Sequence, residues 1–167
     1  GNRNPTRQHV QLGAKRDGTF LAQEMEVLMD GGAYADDSPA VMMFALYFGV
    51  GPYRIPHIRT DASAVYTNKS SAGSFRAIGA PQVIFASESQ MDIIAERLGI
   101  DPAELRLKNF LNKGEELRPK LRGMDANLSV SLKTLVRASE WRRRSKKKGA
   151  AMGLACGATN AGAVASL

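Results

Sequence analysis

The chain has 167 residues, 44% hydrophobic and 23% charged, with a formal net charge of +7 and one cysteine. That length can bury one full core, or one core and part of another, and no apolar run is long enough to span a bilayer as a helix. The lone Cys156 excludes an internal disulfide and suits a reducing compartment. No basic stretch leads into an apolar core and a cleavage site, so a cytoplasmic location is expected.

Residues 10–14 read as a strand, Asp17-Gly18 as a turn, and residues 20–29 as a second strand, giving a hairpin. Asp30-Gly31-Gly32 should break the second strand. Asp37-Ser38-Pro39 reads as a helix start leading into residues 41–48, and Gly49, Gly51 and Pro52 end it. Residues 55–66 alternate like one or two strands. Pro81 opens the strongest helix, with Ile84, Ser87, Met91, Ile94 and Leu98 on one face. Glu88, Asp92 and Glu96 share another face and are expected in solvent. Gly99 suits a C-cap, and Asp101-Pro102-Ala103-Glu104 starts a short helix through about residue 109.

Residues 113–127 are polar and contain Gly114, Pro119 and Gly123, so an irregular connector is expected. Leu128, Leu132, Leu135 and Val136 predict a helix running into Trp141. From Gly149 the composition turns small and apolar, and residues 152–158 read as a strand. We therefore expect an α+β segment over 1–148 and the start of a next domain over 149–167. The apolar end, Ala163 to Leu167, reads as a strand cut short, so the chain is expected to be an internal segment of a longer protein.

The positive charge is concentrated. Residues 111–167 hold 12 basic and 4 acidic side chains, including the run Arg142-Arg143-Arg144-Ser145-Lys146-Lys147-Lys148. A nucleic-acid surface is one reading of such a run. No aromatic residue interleaves with it, so a solvated helix end and linker is expected instead, with no nucleic-acid partner and no membrane.

The richest stretch is residues 66–82, Tyr66-Thr67-Asn68-Lys69-Ser70-Ser71-Ala72-Gly73-Ser74-Phe75-Arg76-Ala77-Ile78-Gly79-Ala80-Pro81-Gln82. It reads as a strand end, a small-residue loop with one Phe-Arg pair, and a proline at a helix start. Small side chains let a ligand reach the backbone, and N–H groups at a helix start favour anions. The residue types alone also fit a solvated connector.

The order of motifs is more specific. Gly31-Gly32-Ala33-Tyr34, Gly51-Pro52-Tyr53-Arg54-Ile55-Pro56-His57, Val65-Tyr66-Thr67-Asn68-Lys69 and Gly73-Ser74-Phe75-Arg76-Ala77-Ile78-Gly79-Ala80-Pro81-Gln82 follow one another. Met91-Asp92, Ala95, Leu98-Gly99 and Asp101-Pro102 come next. From about residue 5 to about residue 157 the chain resembles the molybdopterin-binding subunit of the xanthine dehydrogenase/aldehyde oxidase family of molybdenum hydroxylases. The resemblance implies mixed sheets with packed helices, forming part of a larger molybdenum-cofactor-binding subunit. It implies oxidation of an aldehyde or aromatic heterocycle with water-derived oxygen at molybdenum held by molybdopterin. The nucleotide form of the pterin stays open, the cytosine dinucleotide included. FAD and 2Fe-2S centres would lie on other domains or subunits, which would be the partners alongside a small-molecule substrate.

Carried over by residue, the resemblance makes Phe75, Arg76 and Ala77 the cofactor-binding loop, with the Arg76 main chain near molybdenum. Ile78 takes the place of a substrate-stacking aromatic ring in many members, and Ala77 replaces a glycine. No catalytic residue is expected here, because the family's glutamate base lies near the end of the full subunit. Gln82 is open between a capping role and a site role. His9 and His57 sit on separate strand-like segments and make no metal-ligand spacing. An aromatic acyl-CoA thioester reductase of the same family and a non-catalytic assembly module remain alternatives.

Overall fold

A computed structural model describes residues 2–117, 119, 123–141, 149 and 151–159. The basic run at 142–148 and the terminal apolar stretch lie outside the described residues. Three strands, β1 (Thr6–Ala14), β2 (Phe20–Gly32) and β3 (His57–Tyr66), form one mixed sheet in the order β1-β2-β3. β1 and β2 pair antiparallel, from Thr6 opposite Met29 to Ala14 opposite Phe20. β2 and β3 pair parallel, and parallel neighbours need a long crossover. Helix α1 (Ser38–Phe48) supplies it. Helices α2 (Ala80–Leu98), α3 (Pro102–Asn109) and α4 (Leu128–Ala138) follow. Helices and a mixed sheet around shared cores are the expected α+β class. Among the described residues no helix is long and apolar enough to cross a membrane.

Alternation along the strands buries one face of the sheet against α1 and α2. Met25, Val27 and Met29 of β2 meet Val41, Ala45 and Phe48 of α1 and Ala80 and Val83 of α2. A second cluster joins Phe20, Tyr53, Met91, Ala95, Leu105, Phe110 and Trp141. Tyr53 stacks on Phe110 at 5.6 Å and meets Phe20 edge-on at 5.8 Å, geometries that the ring quadrupoles favour.

The caps behave as the sequence predicts. Asp101 accepts from the Ala103 and Glu104 N–H groups, and Gly99 takes a left-handed conformation after α2. Asp101 also accepts from the Trp141 indole at 3.1 Å, tying α3 to the residues after α4. Three expectations need correction. β2 does not stop at Asp30 but runs to Gly32 through an irregularity between Asp30 and Gly32, because the Asp30 carboxylate itself accepts the Gly32 N–H. Residues 151–159 carry no strand, since among the described residues no neighbouring strand pairs with them; they run irregularly, with Leu154 and Cys156 against the second cluster. Glu88 is buried at 5% exposure rather than in solvent.

The reason for Glu88 is Arg106, which is fully buried. Its guanidinium donates to Glu88 at 3.0 Å, to Asp92 at 2.9 Å and to the Pro102 carbonyl at 3.1 Å. Glu88 also accepts from the Tyr53 hydroxyl at 2.5 Å and from the Cys156 N–H at 2.7 Å. Burial raises the Tyr53 phenol far above its ordinary value, and the Glu88 charge adds to this, so the phenol stays a donor. Burial likewise pushes the Cys156 thiol up to about 11.

Removing one partner of a buried pair leaves the other charged and uncompensated. Arg106→Leu should therefore cost about 3–5 kcal/mol, read as a lower urea midpoint. A midpoint within error of wild type would show that the pair is dispensable.

Asp30 makes a second, partly exposed cluster. It accepts from Lys69 at 2.6 Å, Thr67 at 2.6 Å and the Gly32 N–H at 3.0 Å. Lys69 foremost, then Thr67 and the Gly32 N–H, lower its pKa from 3.8 to about 2. A carboxylate lowered on folding contributes stability that is complete above the unfolded pKa. That contribution should fade as pH falls from about 4 through about 2. Asp17 is lowered to about 2 as well, so Asp30→Asn should flatten the acid limb of stability against pH only in part. Identical acid limbs for the two proteins would contradict the assignment.

Candidate functional site

The Asp30 cluster fixes where the loop begins. The Thr67 N–H donates to Gly32 O at 2.9 Å, Ala33 N–H to Lys69 O at 3.0 Å and Ala72 N–H to Gly31 O at 3.1 Å. The Gly-Gly-Ala segment and the Tyr-Thr-Asn-Lys segment are thus two sides of one main-chain clasp. Gly32 has a φ of 76°, and a Cβ there would collide with the Ser70 carbonyl. Only glycine lets the two chains approach this closely. From below, the Ser38 hydroxyl donates to Ala72 O at 3.2 Å and accepts from Asn4 at 2.9 Å.

Beyond Gly73 the chain rises into an exposed turn. The Ile78 N–H donates to Phe75 O at 2.8 Å, closing a four-residue turn over Phe75-Arg76-Ala77-Ile78. Ala77, its third residue, has a φ of 69°. That position in a type II turn calls for glycine, and an L-residue there costs roughly 1–2 kcal/mol. Ala80 N–H then donates to Ala77 O at 3.0 Å, and α2 begins without a side-chain cap. Gly79, at a φ of 73°, lies so close to α1 that a Cβ would strike the Val41 carbonyl oxygen and come within 2.9 Å of Ala45 N.

Phe75, Arg76 and Ala77 are all exposed, Phe75 at 51%. The turn brings these three expected residues together, ahead of Ile78. Among the described residues, the N–H groups of Arg76 and Ala77 have no hydrogen-bond partner. The Arg76 guanidinium likewise makes no hydrogen bond or ion pair among them. Ile78 is half-buried, with one side packed on the cluster of α1 and α2. Free main-chain donors in the turn that precedes a 19-residue helix, beside a guanidinium unpaired among the described residues, suit a ligand carrying oxo or phosphate oxygens.

Of the other candidates, Gln82 lies beside the turn, half-buried: its side chain accepts from Arg3 at 3.3 Å and its carbonyl accepts from Gln8 at 3.0 Å. His9 and His57 lie on the two opposite edge strands of the sheet and do not meet. Sequence reasoning missed Arg3 entirely. Its guanidinium lies 4.8 Å from the Phe75 ring centroid and donates to Arg76 O at 3.0 Å. Its 73-residue separation from Arg76 left no local signal.

Comparison with known proteins gives the family and the fold. The sequence model of the molybdopterin cofactor-binding domain family matches residues 1–110. Over 117 residues the chain is 44% identical to a probable xanthine dehydrogenase subunit of Bacillus subtilis, covering 70% of this chain and 16% of that protein. It is 41% identical over 115 residues to the nicotinate dehydrogenase large molybdopterin subunit of Eubacterium barkeri, covering 69% and 27%. The fold superposes on the aldehyde oxidoreductase of Desulfovibrio gigas with a TM-score of 0.71 at 35% identity, over 84% of this chain and 15% of that one. The chain therefore spans about a quarter or less of these relatives. It belongs to the molybdopterin cofactor-binding domain family.

Proposed function

We propose that this segment forms one wall of the molybdenum–molybdopterin site in a larger oxidoreductase subunit that oxidises an aldehyde or aromatic heterocycle with oxygen from water. The observation that carries the reading is the exposed turn at 75–78, with the Arg76 and Ala77 N–H groups unpaired among the described residues, in a chain of this family. The cofactor, when bound, supplies the two-electron redox chemistry. The residues of this chain bind and orient. The Arg76 and Ala77 N–H groups would donate to oxygens at the cofactor's metal end, and the Arg76 guanidinium would add a fixed positive field. Preorganised donors of this kind need no rearrangement during reaction. Ile78 would line the substrate side of the same turn. The base would come from a later part of the subunit, and electrons would leave through iron–sulfur and flavin centres on other domains or subunits. In the same reading, residues from 149 onward begin the next cofactor-binding domain, tethered here by Leu154 and Cys156.

Arg76→Ala in the full subunit tests the loop. The side chain is exposed and unpaired among the described residues, so stability should move by about 0.5 kcal/mol or less. Turnover should fall by about tenfold or more, as loss of one preorganised charge implies. Wild-type turnover in a subunit with full molybdenum content would refute the role.

Ile78→Phe tests the substrate side. Aromatic stacking adds about 0.5–1.5 kcal/mol beyond area burial, so kcat/KM for planar ring substrates should change by about tenfold or less relative to short aldehydes. If every substrate in the panel scales by one common factor, Ile78 acts only as packing for α1 and α2.

A further inference from the structure

We propose that Arg3 is a positioning residue that fixes the orientation of the Arg76–Ala77 peptide, and hence the direction of the Ala77 N–H. The proposal builds on the assignment of the 75–78 turn to the cofactor. In a trans peptide the C=O and the following N–H point in opposite directions. Arg3 donates to Arg76 O at 3.0 Å. Holding that oxygen against the body of the protein therefore turns the Ala77 N–H outward.

The turn needs such a hold. Turns of types I and II differ mainly in the orientation of this central peptide, and only type II places the third residue at positive φ. Alanine disfavours that state, yet Ala77 sits at 69°. The local preference of the sequence thus opposes the observed orientation. Arg3 offsets it with three contacts made by one planar group. These are the hydrogen bond to Arg76 O, a second donor to Gln82 Oε1 at 3.3 Å, and the face of Phe75 at 4.8 Å. Gln82 donates back to Asn4 O at 3.4 Å, and Gln8 donates to Gln82 O. The N-terminal segment, the turn and the first turn of α2 thereby form one unit. A lysine could keep the charge but not contact all three partners in this geometry. Glycine at position 77 would make positive φ nearly free of strain, and so would remove much of the need for Arg3.

That last point supplies the test. The full subunit with its cofactor is prepared as wild type, Arg3→Ala, Arg3→Lys, Ala77→Gly and the Arg3→Ala/Ala77→Gly double variant. Molybdenum content, thermal midpoint, the electron paramagnetic resonance signal of the partly reduced metal, kcat and KM are measured. Arg3→Ala and Arg3→Lys should each lower kcat by about tenfold or more, as a misplaced site group does, and alter the resonance signal. KM should change by less than about threefold. Ala77→Gly serves as its own reference, and on that background Arg3→Ala should no longer alter the resonance signal and should lower kcat by less than about threefold. That non-additivity is the signature of coupling through one peptide. A merely stabilising Arg3 would lower the thermal midpoint without changing the signal, and glycine at 77 would rescue nothing; either result overturns the proposal. Should Arg3→Ala not fold, Arg3→Lys with and without Ala77→Gly carries the same comparison. A crystal structure of the Arg3 variant gives a readout independent of metal. Ala77 should leave positive φ, and its retention at positive φ overturns the proposal. Absence of molybdenum from the wild-type subunit would instead refute the cofactor reading, leaving the peptide orientation to be decided by that crystal structure.

Discussion

The buried pair of Arg106 and Glu88 is the constraint on which the arrangement rests. Two ionised groups leave water only if each is fully met, and here the guanidinium reaches Glu88, Asp92 and the Pro102 carbonyl together. Meeting those demands fixes α3 against α2. The Tyr53 hydroxyl then fixes the segment after α1, and the Cys156 N–H fixes the chain near residue 156, all on one carboxylate. The same helix that carries Glu88 starts at Ala80, directly after the exposed turn. The helix that follows the turn is therefore anchored eight residues in from its start.

The turn is held from its other side by main chain. Asp30, Gly31 and Gly32 lock the strand end to Thr67, Lys69 and Ala72, and Gly79 seats the helix start against the backbone of α1. Between the two anchors stand only six residues, from Gly73 to Ile78. Little conformational freedom remains to be lost when a ligand binds, which favours tight placement of the donors. On the proposed function, this would let the site be built from N–H groups rather than from charged side chains.

Periodic and capping signals made most of the fold legible. The hairpin, the α2 stripe through Ser87, Met91 and Ile94, and the Asp101-Pro102 cap all depend on neighbours within a few residues. The Phe-Arg turn stood out for a different reason: the surrounding order of motifs resembles the family, whereas its residue types alone also fit a solvated connector. What stayed hidden depends on distant partners. Glu88 lies four residues after Ile84 and three before Met91, on the buried stripe. Its charge argued for solvent, and the compensating Arg106 stands 18 residues later. Arg3 looked like an ordinary basic residue because its partners Arg76 and Gln82 lie 73 and 79 residues away in sequence. The strand expected over 152–158 failed because β-propensity needs a partner strand, and none lies beside it among the described residues.

The position of strain in this loop adds a final step. Ala77 is one of three non-glycine residues at positive φ among the described residues, and it is the one inside the turn. An unfavourable backbone state persists only where surrounding contacts over-determine it. Here those contacts come from both sides: the Phe75–Ile78 hydrogen bond within the turn and the Arg3 fork from the N-terminal segment. The direction of the main-chain donors is thus set by residues that need not touch the ligand. The Arg76 side chain, by contrast, projects from the turn, while Ile78 packs one side on the cluster of α1 and α2. In the proposed function a change at Arg76 would alter the field while the donor geometry, held by Arg3, stays fixed. On the proposed function, that separation would let one scaffold keep a common cofactor in place while the side chains beside it vary.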